Sequence, residues 1–430
     1  MTESVSPART LHGVVTVPGD KSISHRYAML TSIAQGDSKI YNFATGEDCH
    51  STLACMRELG VKHEFSTEDG RRVLTVHGKG LHGLSAPSGP LDAGNSGSTI
   101  RMLSGILAAQ PFRTTIGGDD SLARRPMARI MRPLSQMGAQ MEAREGQFPP
   151  LVIHGANLRG IDYEMPVASA QVKSCVLLAG LYATGDTVVR EHTQTRDHTE
   201  IALAELGADI VTQPRLVLIR GRSELSGKTL VVPGDISSAT FFLIAALTIP
   251  DSDLILTGIG LNPTRTELLD FLRGGGANIK LLHIEQVNGE IVGNLQIRNS
   301  RFLGGTIQGP QTAALIDEIP ALAVLGAVSK NGLIVRDASE LRVKETNRIA
   351  TIAENLRRMR VQIETRDDGF SIPGGQRFHA AEVDSYGDHR IAMAFSIAAL
   401  AADGPCLIQN AGAASVSYPE FFDTVRSITR

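Results

Sequence analysis

Residues 19–30 read GDKSISHRYAML, and residues 234–247 read GDISSATFFLIAAL. Each stretch places a small or polar turn before an apolar segment of helical length. The same arrangement recurs at residues 94–107, 168–181, 316–328 and 387–400. Because the six starting points are nearly evenly spaced along the chain, we interpret the stretches as one structural unit that occurs six times.

Each apolar helix is followed by a Gly or Pro and then by a short β-rich run. The six runs lie at residues 39–43, 114–117, 187–190, 254–258, 333–336 and 407–409. A second marker, an amphipathic helix end followed by an outgoing strand, appears in five units, at 56–65, 134–143, 203–212, 271–280 and 356–365. In the sixth unit the sequence ends before such a marker, so we expect this unit to lack one. The pattern predicts an α/β (α+β) fold.

Six such units suggest two domains of three units each, since a chain of 430 residues exceeds one ordinary core. The segment VVPGD at residues 231–235 has the Pro-Gly character of a hinge, and VTVPGD at residues 15–20 matches it closely. We therefore predict one domain at residues 19–233 and a second domain formed by residues 1–18 with residues 234–430. If all six helices point the same way, their N-termini face an interdomain cleft and form an anion site there.

Composition excludes several classes of function. The net charge is −3 with 42 % hydrophobic and 20 % charged residues, so no basic surface is available for nucleic acid or an anionic membrane. The longest apolar runs, at 241–249 and 322–328, are much shorter than the ~20 residues of a membrane-spanning helix. The first ten residues resemble no targeting signal, so we expect a cytoplasmic protein with reduced cysteines. Cys49, His50 and Cys55 fit no usual zinc spacing, and we predict no metal.

Charged and polar residues gather at the starts of the repeated helices. Lys21, Ser22, His25 and Arg26 stand in the first turns of the first helix, where cations oppose the helix dipole. An external anion would compensate such an unfavourable arrangement. Further candidates are Gly97 and Arg101, then Arg125 in a loop, then Ser169, Gln171, Lys173 and Arg196, and in the second half Asp317, Glu318, Lys344, Glu345, Arg348, His389 and Arg390. Pairing of Arg101 with an acidic neighbour, or a surface ion-pair network around Asp317, would explain some of these residues equally well.

The motifs GDKSISHR, GNSGSTIR, ARRP, ASAQVKS, TRDHTE, IDEIP, LRVKETNR and GDHRIAM occur in this order. In this respect the chain resembles the 3-phosphoshikimate 1-carboxyvinyltransferases, or EPSP synthases, over nearly its whole length. The resemblance implies two globular domains, each of three βαβαββ units, that bind shikimate 3-phosphate and phosphoenolpyruvate. It also implies glyphosate as a competitive inhibitor, no cofactor and a monomer.

The resemblance also implies roles for individual residues. Shikimate 3-phosphate, which accepts the enolpyruvyl group, would be bound by Lys21, Ser22, Arg26, Ser169, Ala170, Gln171, Arg196, Asp317 and Lys344. Phosphoenolpyruvate would contact Lys21, Gly97, Arg125, Gln171, Arg348 and Arg390. Asp317 would accept the proton of the attacking 5-hydroxyl, while Glu345 and Lys21 would transfer protons at the methylene carbon. Paired arginines suit a carboxylate because the planar guanidinium matches it with two hydrogen bonds.

Three residues depart from the usual pattern of the family: Ala170, Glu340 and Val416. The first and third resemble a divergent bacterial, class II-like subgroup. The nearest alternative is the enolpyruvyl transferase that acts on UDP-N-acetylglucosamine, but no Cys lies between residues 111 and 133 to serve as its acid. RNA 3′-phosphate cyclase would require a more basic surface. A catalytically inactive small-anion-binding relative would not need two carboxylates among its anion-binding cations.

Overall fold

The computed structural model describes all residues from 1 to 430. The chain forms two compact units. The first unit consists of residues Gly19–Val232 together with the short segment Val287–Glu290, and the second consists of Met1–Pro18, Pro233–Gln286 and Ile291–Arg430. Two chain crossings therefore follow Pro18 and Val232, inside the two Pro-Gly segments.

The thirteen α-helices carry most of the repeated apolar segments. They are α1 (Lys21–Ser32), α2 (Glu47–Glu58), α3 (Gly97–Leu107), α4 (Ala128–Gln136), α5 (Ala170–Gly180), α6 (His198–Glu205), α7 (Ile236–Thr248), α8 (Glu267–Gly274), α9 (Pro310–Leu315), α10 (Ile319–Val328), α11 (Arg348–Arg358), α12 (His389–Leu400) and α13 (Phe421–Ile428). None of them combines the length and the apolar character that crossing a bilayer requires.

The twenty-three strands are short. They are β1 (Glu3–Val5), β2 (His12–Thr16), β3 (Gln35–Tyr41), β4 (Lys62–Glu68), β5 (Arg71–Lys79), β6 (Leu91–Asp92), β7 (Arg113–Gly117), β8 (Gln140–Arg144), β9 (Phe148–His154), β10 (Asp162–Met165), β11 (Asp186–Glu191), β12 (Ile210–Gln213), β13 (Leu216–Arg220), β14 (Thr229–Val231), β15 (Asp253–Gly260), β16 (Asn278–Val287), β17 (Glu290–Arg298), β18 (Gly305–Ile307), β19 (Leu333–Val335), β20 (Glu364–Arg366), β21 (Gly369–Ile372), β22 (Glu382–Asp384) and β23 (Cys406–Gln409). Each of the six predicted β-rich runs overlaps one of these strands, namely β3, β7, β11, β15, β19 and β23.

The first unit contains three four-stranded sheets of identical design. Their strand orders are β14-β3-β5-β4, β6-β7-β9-β8 and β10-β11-β13-β12. In each sheet the first two strands are parallel and the other two neighbouring pairs are antiparallel. Because a parallel pair needs a crossover, a helix connects the first two strands of the β6 and β10 sheets. This arrangement is the βαβαββ unit, and the mixed α/β fold is confirmed.

Three apolar helices, α1, α3 and α5, form the centre of the first unit. Leu103 in α3 and Leu177 in α5 are fully buried, and Tyr27 in α1 is 1 % exposed. Burying one leucine side chain contributes roughly 1.5–3 kcal/mol, so the buried faces of these helices stabilise the unit. Their N-terminal turns carry the polar residues of the sequence motifs, so the packing of the core fixes where those residues lie.

The second unit repeats the design with one change. Two of its sheets have the orders β16-β17-β15-β2 and β18-β19-β21-β20, and the third has only the strands β1-β23-β22. Strand β2, from the N-terminus, pairs in parallel with β15. The central helices here are α7, α10 and α12.

The sixth repeat lacks the outgoing strand of the second marker, as expected, but it does have a second helix, which the sequence analysis did not predict. Helix α13 follows β23 and buries Phe421, Phe422, Val425 and Ile428 on one face. This spacing is typical of an amphipathic helix, but no strand follows the helix to complete the second marker. What the sixth unit lacks is its outgoing hairpin, and β1 pairs antiparallel with β23 in its place.

Candidate active site

The predicted site residues divide between the two units, and each group is described within its own unit. The first unit holds Lys21, Ser22, Arg26, Gly97, Arg125, Ser169, Ala170, Gln171 and Arg196, and the second holds Asp317, Lys344, Glu345, Arg348 and Arg390. Except for Arg196, the residues of the first unit lie at or near the starts of α1, α3, α4 and α5. Helix N-termini present free N–H groups and positive dipole ends, which favour anions.

Lys21 is the first residue of α1. The helix is capped by Asp20, whose side chain accepts a hydrogen bond from the Ile23 N–H at 2.9 Å. The Lys21 ammonium lies 3.0 Å from the carboxylate of Asp48 on α2, and its side chain remains 20 % exposed. Asp48 thus compensates a cation that the helix dipole disfavours, and a ligand anion could reach the same ammonium group.

Arg26 is buried one turn further along α1. Its Nε donates to the Thr199 hydroxyl at 2.6 Å, its Nη2 to the Ser174 hydroxyl at 2.9 Å, and its Nη1 to the Ser22 carbonyl at 2.7 Å. These bonds use three of the five guanidinium N–H groups and leave two for a ligand. Burial lowers the pKa of Arg26 to about 10, although Glu200 opposes the shift, so the group is a cation at neutral pH.

Gly97 is the first residue of α3 and faces two arginines. A Cβ at this position would lie 2.8 Å from Arg101 Nη1 and 3.5 Å from Arg125 Nη1. Arg101 Nη1 donates to the Gln171 side-chain oxygen at 2.8 Å, and the Gln171 amide donates to the Ser98 hydroxyl at 3.0 Å. Arg101 therefore binds the side-chain amide of Gln171, another residue of the predicted site.

Arg125 lies in the loop before α4, as the sequence predicted for a residue that precedes Pro126. Its Nη2 donates to the side chains of Asn95 at 2.9 Å and Ser121 at 3.0 Å. The residue is half-buried. These hydrogen bonds hold the guanidinium beside Gly97.

Ser169 and Ala170 mark the start of α5, and Arg196 lies in the loop between β11 and α6. The Ser169 hydroxyl accepts from the Val172 N–H at 3.4 Å, and Ala170 is the first helical residue. Arg196 is close enough to Arg26 for their charges to repel, because Arg196 contributes to lowering the pKa of Arg26. An anion placed between these two arginines would relieve that repulsion.

Asp317 in the second unit stands among three cations. Lys344 Nζ and Arg348 Nη1 lie 3.9 Å from its Oδ1, and Arg390 Nη2 lies 3.9 Å from its Oδ2. Arg390 Nη1 also donates to the Asp317 carbonyl at 2.8 Å. The Asp317 side chain is 17 % exposed, so the carboxylate can contact a ligand.

The neighbouring carboxylate of Glu318 belongs to a different cluster. It accepts a hydrogen bond from the Ser237 hydroxyl of α7, and Arg265 Nη2 lies 3.9 Å away. Glu318 is only 5 % exposed. The two adjacent acids therefore have separate environments, and only Asp317 lies with the predicted cations.

Arg348 is the most tightly held of the predicted residues, with 1 % side-chain exposure. Its Nε and Nη2 donate to the two carboxylate oxygens of Asp388 at 2.8 and 3.2 Å, and its Nη2 also lies 2.5 Å from Glu345. Burial alone would lower the pKa of Arg348, but Asp388, Glu345 and Asp317 outweigh it and raise the pKa. Nη1 is buried without a hydrogen bond and could donate to a ligand carboxylate.

Four residues that position this machinery had no assigned role in the sequence analysis. They are Asp48, Ser174, Thr199 and Asp388. The sequence does contain a signal for Asp388, because a Gly-Asp pair precedes α12 just as a Gly-Asp pair with Asp20 precedes α1. Ser174 and Thr199 lie inside the motifs ASAQVKS and TRDHTE, whereas Asp48 lies outside all the quoted motifs and its proximity to the site becomes visible only in the folded chain.

No group of three or more His, Cys, Asp or Glu side chains is arranged to hold a metal ion in residues 1–430. All four cysteines are free and buried. Burial raises the pKa of Cys55 to about 12, so its thiol stays protonated and is a poor metal ligand. Of the three departures from the family pattern, Glu340 is exposed, whereas Ala170 and Val416 are partly buried.

Comparison with known proteins identifies the family. A family model described as EPSP synthase (3-phosphoshikimate 1-carboxyvinyltransferase) matches residues 5–425. The 3-phosphoshikimate 1-carboxyvinyltransferase of Solibacter usitatus is 60 % identical over 428 residues, which cover 100 % of both chains. The one from Koribacter versatilis is 50 % identical over 99 % of this chain and 98 % of its own. A solved EPSP synthase from Acinetobacter baumannii is 40 % identical, covers 100 % of this chain and 98 % of its own, and superposes with a TM-score of 0.88. The chain therefore belongs to the EPSP synthase family.

Proposed function

We propose that this chain transfers the enolpyruvyl group of phosphoenolpyruvate to the 5-hydroxyl of shikimate 3-phosphate and releases phosphate. The observation that carries the proposal is the carboxylate of Asp317 at 3.9 Å from Lys344, Arg348 and Arg390. One base among cations suits a reaction in which a hydroxyl loses its proton next to anionic substrates. Membership of the family supports the same reaction.

The acceptor would be held chiefly by the first unit. Arg26 and Ser22 bind its carboxylate in this proposal, and Ser169, Gln171 and Arg196 bind the rest of the molecule, with Lys344 and Asp317 contributed by the second unit. Arg26 has two N–H groups to offer, which match the two oxygens of a carboxylate. The repulsion between Arg26 and Arg196 supports an anion in their vicinity.

Phosphoenolpyruvate would bind with its phosphate at Lys21, Arg125 and the backbone of Gly97. Its carboxylate would lie at Arg348 and Arg390. The unbonded Nη1 of Arg348 supports this placement, since a buried N–H without a partner is costly until a ligand accepts its hydrogen bond.

The chemistry is an addition followed by an elimination. Asp317 accepts the proton of the 5-hydroxyl while the oxygen attacks the carbon of phosphoenolpyruvate that bears the phosphate, and Lys21 with Glu345 delivers a proton to the methylene carbon. The resulting tetrahedral ketal then loses phosphate, and the same pair removes a methyl proton to restore the double bond. In the free protein, Arg348 and Arg390 stabilise the ionised carboxylate of Asp317. When the substrate carboxylate binds these two arginines, it neutralises part of their positive charge, and the Asp317 carboxylate loses that stabilisation. Asp317 thereby becomes a better proton acceptor when the substrate is in place.

Several finer expectations accompany this proposal. The two compact units act as the two three-repeat domains, and the protein works as a cytoplasmic monomer without a cofactor. Glyphosate competes with phosphoenolpyruvate. Transfer to UDP-N-acetylglucosamine is disfavoured because the chain keeps Ser22 and Arg26 and lacks the loop cysteine.

A coupled phosphate-release assay tests the reaction. Phosphate should appear only when phosphoenolpyruvate and shikimate 3-phosphate are both present. Replacing the acceptor by UDP-N-acetylglucosamine should abolish the signal. Release with that alternative acceptor, or no release with either, would overturn the proposal.

A further inference from the structure

Lys173 is a buried cation without a role in the reaction described above. It lies on α5, and its side chain is 1 % exposed. Its ammonium lies 2.9 Å from Glu191 and 2.7 Å from Glu200, two carboxylates that are each 2 % exposed. Burying three charged groups requires desolvation that their mutual attraction rarely exceeds, so an apolar cluster would stabilise the fold at least as well. This arrangement calls for an explanation beyond stability.

The first consequence of the cluster is a fixed loop next to Arg196. Glu191 ends β11, and its Oε1 accepts hydrogen bonds from both the N–H, at 3.1 Å, and the hydroxyl of Thr195. Lys173 Nζ donates to the Thr195 carbonyl at 3.3 Å. The backbone on both sides of Thr195 is therefore held by the buried charges, and Arg196 is the next residue in the chain.

The second consequence concerns Arg26. Glu200 lies in the first turn of α6 directly after Thr199, whose hydroxyl accepts the hydrogen bond from Arg26 Nε. The Ser174 hydroxyl donates to the Ala170 carbonyl at 2.7 Å, so its oxygen accepts from both Thr199 and Arg26. Because each hydroxyl has only one proton, every bond in this chain has a defined direction. A displacement of α6 would therefore move the guanidinium.

We propose that Lys173, together with Glu191 and Glu200, is a positioning residue that sets Arg26 and Arg196 at the spacing required by the anionic groups of the acceptor. The inference rests on the proposed function, because it takes these two arginines as acceptor ligands. Like-charged arginines repel each other, and their separation in the absence of a ligand must be held by other groups. The buried cluster supplies that restraint through Thr195 on one side and Thr199 on the other.

A purely structural role makes a different prediction. Loss of Lys173 would then lower stability, while the folded fraction would keep both Michaelis constants. A positioning role instead predicts that the KM for the acceptor rises, whereas kcat and the KM for phosphoenolpyruvate, measured at saturating acceptor, change little. Misplacing a binding group by about 1 Å can cost up to roughly 100-fold, so we expect the acceptor KM to rise about 10- to 100-fold.

The test uses two variants and a control in the full-length protein. Lys173→Met removes the central cation, and Thr199→Val removes one acceptor of Arg26 while keeping the side-chain shape. Lys228→Met is the matched control, since Lys228 pairs with Glu205 on the same helix α6 in an exposed position, with 45 % and 25 % side-chain exposure. Steady-state kinetics with each substrate and calorimetric binding of shikimate 3-phosphate are measured well below the thermal unfolding temperature.

The expected result is weaker binding and a higher KM for shikimate 3-phosphate in both variants and no change in Lys228→Met. If Lys173→Met does not fold, Thr199→Val decides the question. If wild-type protein and Thr199→Val bind shikimate 3-phosphate equally well, this inference is overturned and the proposed function is not affected. Wild-type protein that neither binds nor converts shikimate 3-phosphate overturns the proposed function as well.

Discussion

Asp388 and Arg348 form a buried ion pair that can be tested by a single substitution. The carboxylate is fully buried and receives two hydrogen bonds from the guanidinium, at 2.8 and 3.2 Å. Asp388→Asn removes the negative charge but keeps an oxygen that can accept from the Arg390 N–H, as the carboxylate now does at 2.9 Å. The substitution therefore leaves the helix cap in place and leaves Arg348 without its main counter-charge.

The expected magnitude follows from burial. Removing one partner of a buried pair costs about 3–5 kcal/mol, because the other charge stays in the interior uncompensated. Asp253→Asn is the control, since Asp253 pairs with Arg298 at the same 2.8 Å but at an exposed position with 32 % and 48 % side-chain exposure. Exposed pairs contribute about 0–1 kcal/mol. Urea unfolding followed by circular dichroism measures both values.

The pH dependence has a definite sign. Burial would raise the pKa of Asp388, but Arg348 outweighs burial and lowers the pKa. A carboxylate with a lowered pKa stabilises the fold above the pKa of the unfolded chain, near 3.9, and this stabilisation is lost as the pH falls through the lowered value. The difference in stability between wild type and Asp388→Asn should therefore be full at pH 7 and shrink below about pH 4.

The same substitution should raise the KM for phosphoenolpyruvate, since Arg348 would no longer be held in place. A loss of less than about 1 kcal/mol at pH 7, similar to Asp253→Asn, would contradict this reasoning. It would mean that Arg348 finds another counter-charge, such as Glu345, and that Asp388 does not fix its position.

Three further predictions concern the reaction. Asp317→Asn should fold and bind the acceptor, but turnover should fall by about 10²–10⁴-fold, the usual effect of losing a general base; near-normal turnover in the phosphate-release assay would reject Asp317 as the base. Lys21→Met should lower kcat and raise the KM for phosphoenolpyruvate, and a variant that changed only thermal stability would show that Lys21 is structural. Gly97→Ala should raise the inhibition constant of glyphosate more than the KM for phosphoenolpyruvate, because the added methyl comes 2.8 Å from Arg101 and intrudes more on a longer ligand. Equal shifts of the two constants in competition kinetics would argue against it.

The repeat pattern predicted most of the fold because each unit carries local signals. Turn residues, an apolar helix and a β-rich run occur in order, so the strands β3, β7, β11, β15, β19 and β23 could be placed from the sequence. Helix α13 was missed because no strand follows it to complete the second marker, although its apolar residues have helical spacing. The pairing of β1 with β23 joins the two ends of the chain, and no local pattern indicates such a contact.

The sequence also predicted which residues stand at the helix starts, but it could not identify the groups that hold them. Lys21 pairs with Asp48, which is 27 residues away, and Arg26 bonds to Thr199, which is 173 residues away. Such contacts depend on how the repeats pack against one another within the first compact unit, and not on the local preference of a segment for helix or strand. The buried cluster of Lys173 was invisible for the same reason, since a lysine on an apolar helix gives no indication of its partners.

The most direct test of the proposed reaction is to identify the product. Purified protein would be incubated with shikimate 3-phosphate and phosphoenolpyruvate labelled with carbon-13 at the methylene carbon, and the mixture followed by NMR. We predict that the labelled carbon appears as a vinyl methylene in an enol ether on the 5-oxygen of the ring, in step with free phosphate. Phosphate release with the label recovered as pyruvate, and no enol ether, would contradict the assignment of this chain as an enolpyruvyl transferase.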